Sequence, residues 1–437
     1  MSQVGWQRWM LAVALGVSFG ASGCGGDEAP PPPPPPPAPE AAPAPAPAAA
    51  PTGPLAAILM SQAQFVSEGG KPKPGPAKLV VWRTDGTSWW STIVEDADSN
   101  VFHKAIPWRD GILTIAAGQV GFDPPKPAKL SHWTKGADGG WTEKVLYSAA
   151  WGGKFQRFRD VELGDVNGDG KDEIVIATHD MGVVAVGTEA ADGTWAFVQM
   201  DETPDTFVHE VEIGDVDGDG KKEFYVTPSE RNKASGESQP GAVARYDFVD
   251  GAYVRSWVVQ WKESHAKEIL VHDVNGDGKD ELYVVREGHT VKGADGKLEV
   301  KDPVRILRME PKGKGAYAEV EAATVEDKQT RFLVPGDVDG DGKKDLVAAS
   351  EANGLFVLRL KDDGSFGTTL IDAQSGGFEH ATHVADLDKD GKLEIYVAAD
   401  KQKEFRKYVW DGAAFKREKI ADIPPQHITW NLQDGTF

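Results

Sequence analysis

Cysteine is nearly absent from this chain: Cys24 is the only one in 437 residues. No disulfide can staple the folded part, so another device must hold it. Long apolar runs are missing too, and the stretch from Met10 to Phe19 is too short to cross a membrane. Positive charge is in deficit, with 47 Lys and Arg against 68 Asp and Glu and a net charge of −21. Nothing resembles a basic face for nucleic acid. G-x-S-x-G, Walker, H-E-x-x-H and Rossmann fingerprints do not occur, which removes the commoner enzyme signatures. What remains is 40% hydrophobic and contains 14 Trp, enough to bury a large core.

The first residues read as an address rather than as fold. Arg8, the apolar stretch after it and Gly20-Ala21-Ser22-Gly23-Cys24 have the shape of an export signal. Small residues before a cysteine resemble a bacterial lipobox, which implies that residues 1–23 are removed and Cys24 is lipidated. Without lipidation the same segment is a plain secretory signal. Residues 24–54 are almost all Pro, Ala and Gly, with eight consecutive prolines from Pro30 to Pro37. Such a segment builds no core and runs as a polyproline spacer, reaching roughly 90 Å if fully extended. A globular head is left at 55–437. The expected location is the bacterial cell envelope, with a lipid anchor as the sole membrane contact.

One phrase, D-x-[D/N]-x-D-G-x-x-[D/E], occurs five times in that head. The first copy supplies Asp165, Asn167, Asp169 and Glu173, and the second Asp215, Asp217, Asp219 and Glu223. Asp273, Asn275, Asp277 and Glu281 follow, then Asp337, Asp339, Asp341 and Asp345, and last Asp386, Asp388, Asp390 and Glu394. Position 7, which is Lys171, Lys221, Lys279, Lys343 and Lys392 in turn, is counted with the metal set. Oxygen-only ligation with three or four carboxylates per loop selects Ca²⁺, about five ions in all, and the glycine at position 6 allows the sharp bend. Five divalent ions would offset about ten of the excess negative charges. These loops are not EF-hands, because the last acid falls at position 9 and a β-type run follows at once.

The copies recur every roughly 50 to 65 residues, the length of one four-stranded propeller blade. Loop and spacing together resemble the FG-GAP/VCBS repeat family, including the propeller of integrin α chains. The resemblance implies an all-β propeller with calcium in its hairpins. A second repeat counts the blades: a turn at Asp85, Asp138, Asp192, Asp250, Lys314, Asp363 or Asp411, each followed by Gly and then an aromatic, marks seven outer hairpins. Two blades therefore lack the metal loop and show only Arg109-Asp110-Gly111 and Gln433-Asp434-Gly435 at the matching place. The N-terminal strands lack an inner partner, and His427 to Leu432 is the strand left over. Ring closure joins them into a seven-bladed propeller without open edges.

A third repeat lies six residues before the loops: Arg159, His209, Lys267, Arg331 and His380, with His103 and His427 in the metal-free blades. This ring reads as an anion funnel or a histidine metal site. It reads equally as seven blade-to-blade ion pairs, with Asp180, Glu230, Glu287, Glu351 and Asp400 as partners. Polar insertions at 229–241 and 287–303 add to the same face. The expected function is a calcium-stabilised, envelope-tethered binding or adhesion module, a monomer or part of an envelope complex, with a protein or glycan partner. The alternatives are a metal-dependent polysaccharide lyase-like enzyme using channel histidines, or a structural scaffold of an envelope complex.

Overall fold

Burial changes regularly across each sheet of this protein. Second strands such as Glu173–Thr178 and Glu394–Ala399 are buried at every position, as strands between two neighbouring sheets must be. Outer strands such as Trp141–Ala149 and Trp195–Met200 alternate between half-buried and exposed positions, the pattern of a sheet edge with one wet face. The computed structural model describes residues 51 and 53–437, except 69, 119–123, 154, 155, 232, 234, 314 and the side chain of Glu68. The export signal, Cys24 and almost all of the spacer lie outside the described residues. Gly53–Phe437 form one compact unit, and among the described residues there is no α-helix.

Seven antiparallel sheets make the blades. Blades 2 to 7 open with the inner strands Val101–Trp108, Phe158–Gly164, Thr206–Gly214, Ala266–His272, Thr330–Gly336 and Thr382–Ala385. Blade 1 is built from both ends of the chain. Ala56–Glu68, Ala77–Thr84 and Trp89–Asp96 supply three strands, and His427–Thr436 supplies the innermost. That last strand pairs with the first from Ala56↔Thr436 to Gln64↔His427. Leu55 and Phe437 exchange backbone hydrogen bonds of 3.0 Å at the end of the ladder. The ring closes as the sequence predicts.

Apolar clusters lie between blades rather than within them. Tyr283, Val304 and Ile306 of blade 5 pack with Leu346, Ala348 and Leu358 of blade 6, and Ile58 and Met60 of blade 1 with Tyr396 and Phe405 of blade 7. The aromatics after the outer turns join these clusters. Trp89 meets Tyr396 and Phe405 edge-on at 6.0 and 5.9 Å, and Phe366 meets Tyr283 at 5.9 Å. One expected turn is corrected: Gln433-Asp434-Gly435 is strand, with Asp434 opposite Ile58 and Gly435 opposite Ala57. Both residues pair along the first strand of blade 1, so the ladder runs straight through them to Thr436.

Closure by one terminal strand makes a sharp expectation. Deleting residues 427–437 opens the Ala56–Glu68 edge and unseats blades 1 and 2. Aggregation in size-exclusion chromatography, or much faster proteolysis, is the expected outcome. A monomer with unchanged melting would mean that another strand closes the ring.

Candidate functional sites: acidic loops and the axial cluster

Each repeated phrase forms the turn between the inner and second strands of its blade. The position-1 aspartate organises the turn by accepting backbone N–H groups, as Asp215 does from Gly220 at 2.8 Å and Asp219 at 3.0 Å. The position-6 glycines hold φ between 84° and 87°, the left-handed region that the turn requires. In four loops at least three carboxylates bring oxygens within 4.8 Å of one another: Asp215/Asp217/Asp219/Glu223, Asp386/Asp388/Asp390/Glu394, Asp273/Asp277/Glu281 and Asp337/Asp339/Asp345. In the first loop, Asn167 donates its amide to Glu173 at 2.6 Å. Burial, reinforced by neighbouring carboxylates, pushes Glu173, Glu223, Asp345 and Glu394 up to about 7. Crowded, buried acids of this kind fit a hard cation, which would replace the protons they otherwise retain. The position-7 lysines could contribute only a main-chain carbonyl. Blade 2 uses a different device: Arg109 lies 4.0 Å over the Trp108 ring and reaches Glu189 at 2.6 Å.

The axial positions share a backbone cause. The ladder between inner and second strands skips one residue in blade after blade, passing over His103, Arg159, Lys267 and Arg331. In blade 4 it passes over His209 and Glu210 together. A bulge re-aims its extra side chain. His103, Arg159, His209, Lys267 and Arg331 are all buried, at 0 to 8% exposure.

Two expected members of the ring lie elsewhere. In blade 1 the skipped residue is Trp430, while His427 bonds Gln62 at 3.1 Å away from the others. Aligning that blade on the supposed turn at Asp434 displaced it by three residues. His380 has the right register but a φ of 49°, and its ring is held between Ser375 Oγ at 2.7 Å and the Ser350 carbonyl at 2.8 Å. Its neighbour Glu379 joins the cluster instead, 2.8 Å from Arg331 and 3.6 Å from Arg159. The four histidines proposed as a metal set therefore do not converge.

A residue missed in the sequence completes the cluster. His179, at the end of the second strand in blade 3, places Nε2 3.3 Å from His209 Nδ1, and its ring centroid lies 6.4 Å from that of His103. A histidine beside an acid already suspected of facing the ring was the available signal. Burial, with Arg159 and neighbouring charges, holds His103, His179 and His209 well below the usual imidazole range. They stay neutral. Of the five suspected partner acids, Glu287 alone pairs with ring members, at 3.8 Å from Lys267 and 3.9 Å from Arg331. Asp180, Glu351 and Asp400 pair with Arg231, Lys328 and Lys403.

Beyond the ring, toward the acidic loops, the channel turns acidic. A cavity of about 170 Å³ is lined by His103, Arg159 and Arg331 and by Lys104 among Asp160, Glu162, Glu210, Glu212 and Glu268. Asp160 and Glu268 are clasps between blades, accepting the Val211 and Leu333 N–H groups at 2.9 Å. Lys104 bridges Asp160 and Glu162. Burial foremost raises Glu162, Glu210 and Glu212 and pushes Glu268 up to about 8. The two insertions meet at the opposite mouth. Thr206 pairs with Glu230 there, so the loop between the second and third strands of blade 4 emerges where the inner strands begin. Ser238 bonds the Thr290 carbonyl at 3.0 Å and receives Thr290 N–H at 2.7 Å. His289–Lys292 and Leu298–Asp302 form an added hairpin.

Fold and loops together define a closed seven-bladed β-propeller whose inner hairpins carry acidic turns. The model of the FG-GAP-like repeat matches residues 165–226, 273–348 and 337–397, stretches that contain all five loops. Over these stretches the propeller carries FG-GAP-like repeats. No curated protein matches it. Among solved structures it is similar to a putative 6-phosphogluconolactonase from Bacteroides fragilis, at 16% identity and TM-score 0.52 over 87% of this chain and 98% of that one. A Lactobacillus plantarum protein aligns at 12% identity and TM-score 0.55, over 86% and 98%. The periplasmic gluconolactonase of Pseudomonas aeruginosa aligns at 15% and 0.51, over 86% and 99%. At these identities the likeness is one of fold.

Two outcomes are expected of the site chemistry. Chelation by EGTA lowers the melting temperature, since an ion bound only to the native state adds about 2.7 kcal/mol per site at a hundredfold excess over Kd. Asp215→Ala lowers the calorimetric stoichiometry by one site and leaves the other four loops bound. Buried neutral histidines act on pH dependence. His380 is pushed down to about 4, chiefly by burial, so the unfolded chain binds a proton from pH 6.5 downward while the folded one does not. Stability is lost as pH falls between 6.5 and about 4, by up to about 1.4 kcal/mol per unit for each such histidine. His380→Asn, which tolerates the positive φ, makes the fall of melting temperature shallower.

Proposed function

We propose that this protein is a binding module of the bacterial envelope, stapled by calcium, that captures an anionic group of a protein or glycan partner at the mouth of its channel. One observation carries the reading: the Arg159 guanidinium is buried yet makes no hydrogen bond. Its nearest carboxylate oxygens, on Glu379 and Glu210, stand at 3.6 and 3.9 Å, beyond hydrogen-bond length, and its Nε has no partner. Both nitrogens of His103 and Nε2 of His209 are equally unpartnered. Buried donors left open cost stability, and a site that keeps several of them side by side is suited to an incoming anion. Oxygen-only loops with three or four carboxylates favour Ca²⁺ for the staple. The signal of residues 1–23 would direct export, and the spacer of residues 24–54 would carry the head clear of a membrane on a lipidated Cys24.

The enzyme alternative draws support from His179 beside His209 and His103. Against it, Arg159, Lys267 and Arg331 surround those imidazoles and repel a metal ion. The scaffold alternative rests on the tight Arg331–Glu379 pair and on the longer Arg159 contacts to Glu379, Glu210 and, at 5.5 Å, the Trp430 ring, but these leave the Arg159 donors without a hydrogen bond. Lactonase activity named for the structural neighbours is not carried over, because their likeness extends to fold alone.

The test contrasts two arginines. Arg159→Gln weakens binding of an acidic glycan such as polygalacturonate, or of an acidic peptide, at least tenfold, with little change in melting. Arg331→Gln leaves Glu379 buried without its close partner and costs about 3–5 kcal/mol of stability. If Arg159→Gln binds each anion that the wild type binds with unchanged affinity, and loses thermal stability alone, the ring is structural.

A further inference from the structure

The axial cavity is polarised along its length. At the bulge level its walls are Arg159, Arg331 and His103; three residues further along the inner strand of blade 4 they include Glu212. Such a step spans roughly 10 Å of strand. Five carboxylates and three cations face this small space, and most of the charge is already committed. Asp160 holds the Val211 N–H and Lys104, Glu162 holds Lys104, and Glu268 holds the Leu333 N–H. Glu379 lies closest to Arg331. What is left without a hydrogen bond is Arg159 with His103 at the bulge level, where Glu210 stands 3.9 Å from Arg159, and Glu212 further along the strand. Glu210 and Glu212 are two apart on one strand and so face the axis together. Glu210 is 21% exposed, which its place in the cavity wall makes exposure to the channel.

We propose that this cavity binds a small zwitterion, an amino acid or the end of a larger ligand that carries both charges, with its carboxylate on Arg159 and His103 and its ammonium on Glu212, Glu210 lying between the two. The inference rests on the anion site of the previous section and names what must accompany the anion. A simple anion would satisfy the donors and leave two carboxylates stacked behind it in a poorly solvated space, each disfavouring the other's charge. A bare cation would do the reverse. A molecule with both groups at the right separation neutralises each level, and its uncharged stem crosses the layer between them. The volume of about 170 Å³ is below the usual range for drug-sized ligands and matches one small molecule.

Chain length is the signature to measure. The full head, saturated with Ca²⁺, is titrated calorimetrically with ω-amino acids from glycine to 6-aminohexanoate and with monocarboxylates of the same lengths. The expected result is an affinity that peaks at one length and exceeds that of the matching monocarboxylate at least tenfold. Glu212→Gln, at a half-buried position without a hydrogen-bond partner, removes most of this advantage and leaves monocarboxylate binding unchanged. Arg159→Gln abolishes both. Amino acids that bind no better than monocarboxylates at any length, or an advantage that survives Glu212→Gln, would overturn the zwitterion assignment and leave the anion site standing. Binding of neither series would remove both.

Discussion

The constraint on which this structure depends is that a ring of sheets has no place to stop. An open stack of blades would leave unpaired N–H and C=O groups and an apolar face at each end. Pairing of His427–Thr436 with Ala56–Glu68 removes both faults at once. It also brings chain segments more than 360 residues apart into one sheet, as the Gln62–Thr429 hydrogen bond at 3.1 Å illustrates. The interblade cluster between blades 7 and 1 includes Leu432 of the closing strand, and Phe437 packs against the cluster between blades 1 and 2. Cooperativity around the ring follows, since each blade buries its faces against two neighbours.

The axis owes its chemistry to a repeated irregularity. One extra residue per inner strand breaks the ladder and turns a side chain into the channel. Because the bulge falls at the same place in successive blades, unlike residues are forced into one poorly solvated layer. Lys267 feels the result: burial, with Arg331 and Arg159 close by, brings it down to about 8 despite Glu287. The next residue along often repairs the damage, since Asp160 and Glu268 receive N–H groups of the following blade. A structural repair and a polarised cavity thus share the same few positions.

The far end of the blades is where the acidic loops gather. The acidic turns place acids whose ionisation is costly without a cation, and loops are linked to neighbours. Asp280 of blade 5 accepts the Asp215 N–H of blade 4 at 3.0 Å. Gly214 at that junction has no room for a side chain, because a Cβ would meet Val271 at 2.3 Å. Where blade 2 lacks the loop, a guanidinium stacked on Trp108 occupies the corresponding turn. The face carrying the insertions is the opposite one, which leaves the mouth of the cationic ring free to vary.

Blade number, hairpin positions and acidic loops were legible in the amino-acid sequence because each is a local device. A nine-residue turn closes on its own aspartate, an Asp-Gly pair makes its own hairpin, and the repeat interval counts the copies. Ring closure was legible by subtraction, as a strand without a partner at each end. The axial site was legible only in part. Five of its seven positions followed from spacing, but Trp430 replaces His427 because the final strand runs straight through Asp434 and Gly435. A positive φ at His380 turns that ring away and leaves Glu379 inside. His179 and Glu379 reach the cluster from different blades, and no spacing along the chain encodes that meeting. Local geometry is written in neighbouring residues, whereas the contents of the channel depend on bulges and on which blades stand opposite one another, and these are settled when the ring closes.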